Sequence, residues 1–96
     1  MNRDRLEDAA ECERSHENDD RAVDVFAVDM KRKLAVNVHK KHWSDVPRSY
    51  LFLRLLEEEA ELYDALNRDT PQEIIDECAD VANFAMMLAD CARNGK

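Results

Sequence analysis

Cys78-Ala79-Asp80-Val81-Ala82-Asn83-Phe84-Ala85-Met86-Met87-Leu88-Ala89-Asp90-Cys91-Ala92 is apolar at almost every position, yet it carries Asp80, Asn83 and Asp90. A helix that is apolar all round is buried. Thr70-Pro71-Gln72-Glu73 upstream has the form of a helix start, with Thr70 at the N-cap, Pro71 at the first helical position and Glu73 closing a capping box. Gly95 supplies a stop. These signals predict a helix to about Arg93 whose middle is enclosed by protein. One alternative is that Glu73, Asp76, Glu77, Asp80, Asn83 and Asp90 form a single solvated stripe, which their spacing permits. Phe84, Met87 and Cys91 fall in that same stripe, so the face that would meet water turns apolar halfway along. Buried carboxylates need partners.

Working outward, residues 49–67 read as a helix with Leu51, Leu55, Leu62 and Leu66 as its core stripe. Glu57, Glu58, Glu59 and Glu61 border that stripe, and periodicity does not decide which of them face solvent. Residues 40–48 read as a connector, because Pro47 disfavours helical geometry at Val46. Val23, Phe26, Met30 and Leu34 recur at helical spacing and predict a helix from about Arg21 to His39. Residues 1–20 are charged and weakly apolar, a frayed helix or a disordered tail. The expected organisation is a charged extension over 1–20 and a helical domain over 21–96. With one Gly and two Pro in 96 residues, the fold class is all-α. A chain this short buries only a modest core, so an oligomer would help it.

The net charge of −8 disfavours nucleic-acid polymers as partners. No apolar run reaches the roughly 18 residues of a membrane span, and Met1-Asn2-Arg3-Asp4-Arg5 lacks a signal-peptide apolar core, so a cytosolic protein is expected. Cys12, Cys78 and Cys91 form no Cys-x-x-Cys pair and read as reduced, packed thiols. His39 and His42 sit at a helix end without a Cys partner and add to a basic patch rather than forming a zinc site. Charge is segregated: residues 31–54 carry a net of +6 and residues 55–96 a net of −8. That division suits either a metal-bound polyphosphate or the pairing of subunits.

The chemistry lies in two acidic pairs, Glu58 with Glu61 and Glu77 with Asp80, each spaced three apart on its own helix. Residues at that spacing share a helix face. If the two faces pack together, four carboxylates converge, and such a group must be protonated or bound to cations. Hard divalent cations suit oxygen ligands, and metal-assisted chemistry on a phosphate substrate follows.

In this order and spacing the segments resemble the MazG-type all-α nucleoside triphosphate pyrophosphohydrolases, whose signature is Glu-Glu-x-x-Glu, a spacer, then Glu-x-x-Asp. Glu57-Glu58-Glu59-Ala60-Glu61 matches the first part and Glu77-Cys78-Ala79-Asp80 the second, over about residues 30–92. The resemblance implies an antiparallel helical bundle completed by oligomerisation as a homodimer or homotetramer. It implies that Glu58, Glu61, Glu77 and Asp80 bind Mg²⁺, with Mn²⁺ as a substitute. Glu57 would help position a metal or the attacking water. The implied reaction is hydrolysis of a (deoxy)nucleoside triphosphate to monophosphate and pyrophosphate, and small phage relatives acting on dGTP or dATP offer one model. Lys33 and Lys40 are expected as phosphate contacts, Asn37 as a sugar or base contact, Trp43 as a stacking surface or a core anchor, and Asn83 as a nucleotide or metal-ligand partner. The pattern departs from the family in its charged N-terminal extension.

Two other readings compete. A carboxylate-bridged di-iron bundle would need Glu-x-x-His motifs, which the acidic pairs are not. A non-enzymatic helical interaction module would leave the acidic stripe as a solvated face.

Overall fold

A computed structural model describes the backbone of residues 5–36, 41–68 and 70–95, with side chains from His16 onward within those ranges. It contains helices α1 (Arg5–Val36), α2 (Arg48–Arg68) and α3 (Pro71–Arg93), with a single 3₁₀ turn, Trp43–Asp45, between α1 and α2. No strand occurs among the described residues, so the all-α expectation holds. None of the described helices is long and apolar enough to cross a membrane.

The central element is α3. Helices α2 and α1 both pack against it, α2 the more extensively, as its apolar sequence requires. The core is Leu51, Phe84, Met87 and Cys91, with Leu34, Trp43, Val46 and Leu55 packed around it. Ala65 and Ala79 are also buried, and small side chains there let α2 and α3 approach closely. Helix α1 begins sixteen residues before Arg21, so residues 5–20 are helical and continuous with the segment that follows.

Several local expectations are corrected. The buried positions of α2 are Leu51, Glu58 and Ala65, at seven-residue intervals. Leu66, expected in the core stripe, is 53% exposed, because it is rotated about 100° from Ala65 around the helix. Val23 on α1 is exposed as well, while Phe26, Met30 and Leu34 are half-buried. Thr70 has the extended backbone of an N-cap, but its side chain makes no cap hydrogen bond. Glu73 turns instead to Arg68 at the end of α2, with contacts of 3.1 and 3.2 Å. A charge-assisted pair there replaces the weaker capping box. Pro47 ends the connector as expected: its carbonyl accepts from Tyr50 and Leu51 at 3.0 and 3.2 Å, opening α2. Cys78 and Cys91 are free thiols.

Candidate functional site

Three side chains converge where α2 faces α3. Carboxylate oxygens of Glu58, Glu77 and Asp80 lie within 4.8 Å of one another. Glu58 and Asp80 are only 6% and 8% exposed, so neither belongs to a solvated face. One oxygen each of Glu58 and Glu77 is fully buried with no hydrogen-bond partner among the described residues. Geometry explains the selection within the acidic run. Glu58 follows Leu51 by two turns and points inward with it, while Glu57 and Glu59 are exposed and Glu61, also exposed, is hydrogen-bonded to Glu58.

The electrostatics are those of anions forced together. Burial first, then a hydrogen bond to Glu61 and repulsion from Glu61, Asp80 and Glu77, push the Glu58 carboxyl up to about 8. Burial likewise raises Glu77, helped by Glu61 and Asp80 and opposed by Lys33 and Arg68. Lys33, on α1, brings its Nζ to 3.5 Å from Asp80 Oδ2, so one cation already faces the cluster. Orphaned buried oxygens, hard ligands and excess negative charge fit a divalent cation. Glu61 lies outside the tight triad but is tied to it through Glu58.

Asn83, one turn beyond Asp80, is 4% exposed; its Nδ2 donates to the Met30 carbonyl at 3.0 Å, and its Oδ1 has no partner among the described residues. A cavity of about 160 Å³ opens beside these groups, walled by Lys33, Arg54, Glu58, Asp80, Asn83 and Phe84. A second, of about 180 Å³, adjoins it and is lined by Lys41, Trp43, Val46, Tyr50 and Leu51. Both share Arg54, Phe84 and Met87 as wall. Trp43 is at once anchor and surface: Nε1 donates to Asp90 Oδ2 at 2.9 Å, the ring packs on the core, and the residue lines the second cavity. His42 caps the 3₁₀ turn, its Nδ1 accepting from the Ser44 amide at 3.1 Å, and stacks on Trp43 at 4.0 Å.

Of the residues expected from sequence, Glu58, Asp80, Lys33 and Asn83 meet at the first cavity, Glu77 joins Glu58 and Asp80 in the triad, and Trp43 lines the second cavity. Glu57 does not join the triad; it is half-exposed and pairs with Arg54. Asn37, Lys40 and His39 lie outside the described residues. Arg54 and Asp90 are the residues that sequence reasoning passes over. Arg54 precedes Glu58 by four residues, a spacing that places it on the same helix face. Asp90 could be read only as a carboxylate within an apolar stretch, because its partner Trp43 is 47 positions away.

Comparison with known proteins identifies one family. Residues 30–92, about two thirds of the chain, match the model of phosphoribosyl-ATP pyrophosphohydrolase. No curated protein and no solved structure gave a significant match. The match spans the 3₁₀ turn, both acidic segments and the whole α2–α3 hairpin. The chain therefore belongs to the phosphoribosyl-ATP pyrophosphohydrolase family, within the MazG-like all-α NTP pyrophosphatase superfamily, whose general activity is hydrolysis at nucleotide pyrophosphate bonds.

Proposed function

We propose that this protein hydrolyses a (deoxy)nucleoside triphosphate to the monophosphate and pyrophosphate with a divalent cation, Mg²⁺ or Mn²⁺. The observation that carries the reading is the buried triad of Glu58, Glu77 and Asp80, with ligand oxygens within 4.8 Å and two of them orphaned. Those three, with Glu61 beside them, would hold the cation. Bound there, it would neutralise phosphate charge and make a bound water more acidic. Lys33 provides an ammonium at the rim of the same cavity for phosphate oxygens. Asn83 holds α1 to α3 through Met30 and lines the same cavity, its buried amide oxygen without a partner among the described residues. Trp43 offers a ring face to the base in the adjoining cavity. The chain acts as a homodimer or homotetramer, a reading supported by the exposed apolar residues Phe52, Leu56, Tyr63 and Leu66 along α2.

The test is an assay against all eight ribo- and deoxyribonucleoside triphosphates, dGTP and dATP among them, and phosphoribosyl-ATP, with Mg²⁺, Mn²⁺ or EDTA. Metal-dependent release of monophosphate and pyrophosphate is expected for at least one triphosphate. Release of diphosphate and phosphate, or no turnover of any substrate, would overturn the proposal.

A further inference from the structure

Arg54 occupies the junction of the two cavities and walls both. Its guanidinium carbon lies 5.2 Å from the centre of the Phe84 ring, a cation–π contact that sets its height above α3. Its Nη1 donates to Glu57 one turn later on α2, which fixes its direction along the helix. Arginine carries five N–H donors in a planar fork, and among the described residues Glu57 is the hydrogen-bond partner that Arg54 meets. The other donors are free to meet a ligand. On one side lies the acidic triad, which suits the cation-bound end of a polyphosphate; on the other lies the Trp43 surface, which suits a planar ring. A ligand bridging the two must pass Arg54.

Resting on the function proposed above, we infer that Arg54 grips the phosphate attached directly to the nucleoside, and that Glu57 is a positioning residue which holds the guanidinium in place. Hydrolysis to monophosphate and pyrophosphate breaks the anhydride bond on that phosphate, so water's oxygen ends on it or on its neighbour and the proton balance is completed by solvent. A planar fork beside the reacting phosphate selects for a nucleotide seated with this bond at the triad. Glu57 thereby contributes through Arg54, not through the cation.

The experiment compares the wild-type chain, loaded with Mn²⁺, with Arg54→Gln, Arg54→Lys and Glu57→Gln. Binding of Mn²⁺ alone is measured by calorimetry, then binding of the nucleoside and of the monophosphate corresponding to the best triphosphate substrate. Arg54→Gln is expected to weaken monophosphate binding about ten- to a hundred-fold, the range of a charge-assisted hydrogen bond, with nucleoside and Mn²⁺ affinity within about twofold. Arg54→Lys recovers part of the loss, and Glu57→Gln loses a few-fold on the monophosphate only. Equal loss of nucleoside and monophosphate would reduce Arg54 to a packing group on Phe84 and overturn the inference. Unchanged monophosphate affinity would overturn it equally. Absence of triphosphate hydrolysis by the wild type would instead fell the functional reading and this inference with it.

Discussion

The two ends of α3 bury polar groups under opposite rules. Around Asp90, every polar atom named has a partner: the Trp43 indole and the Asn94 amide donate to Asp90, and Cys91 Sγ meets the Trp43 carbonyl at 3.8 Å. Ten residues away, about 15 Å along the helix, Glu58 and Glu77 crowd against Asp80, and one buried oxygen of each of the two glutamates has no hydrogen-bond partner among the described residues. The first arrangement stabilises the fold; the second costs stability in the metal-free chain and, on the function proposed above, would become favourable with a cation bound. Fold and site thus meet on one helix, where Phe84 and Met87 serve both the core and the cavity walls.

The contrast is most severely tested by Asp80→Asn and Glu58→Gln. Each should reduce triphosphate turnover by roughly a thousand-fold or more, about 4 kcal/mol at the transition state. Helical content should be unchanged by circular dichroism, and metal-free unfolding should occur at an equal or higher temperature. Full turnover in both variants would mean that the triad is not the reacting centre. In the core between them, Met87→Ala should destabilise the chain by about 2–5 kcal/mol, by the same amount with and without Mg²⁺, in denaturant melts. A loss seen only with Mg²⁺ would blur the separation between the two ends.

A smaller effect is expected from pH. Glu58 is raised from an ordinary value of 4.5 to about 8, so the native state holds a proton that the unfolded chain releases over that window. Native protonation above unfolded protonation makes stability fall as pH rises. Metal-free stability should therefore drop by about 1–3 kcal/mol between pH 5 and pH 8, and Glu58→Gln should flatten that slope. Asp76 has the opposite sign. Arg32 at 2.6 Å and Gln72 at 2.9 Å hold it below its ordinary value, so its contribution is lost as pH falls toward acid. A stability profile that rises from pH 5 to pH 8 in the absence of metal would contradict the crowding of the triad. Smallest is Trp43→Ala, which should raise KM roughly tenfold, from loss of roughly 1–3 kcal/mol of stacking, with kcat little changed. An unchanged KM would leave Trp43 as a core anchor only.

Much of this was legible in the sequence, for reasons specific to each part. The all-apolar stretch of α3 had to be enclosed, and Pro71 and Gly95 marked its ends within a residue or two. Spacing of three within each acidic pair brought Glu77 and Asp80 onto one face. Within Glu57-Glu58-Glu59-Ala60-Glu61, consecutive acids erase the helical period, so only packing against α3 selects Glu58. Glu57 is three residues from Arg54 on the same helix, but the seating of Arg54 on Phe84 crosses from α2 to α3 and has no local signal. The Thr70–Glu73 capping box was locally sound but lost to Arg68, a competitor supplied by the preceding helix.

The decisive measurement is Mn²⁺ binding to the purified chain at pH 8, followed by calorimetry and by the unfolding temperature, alongside Asp80→Asn. A buried triad poised for a cation predicts saturable binding that raises the unfolding temperature in the wild type and is lost in the variant. Equal binding in both proteins, or none in either, would contradict it.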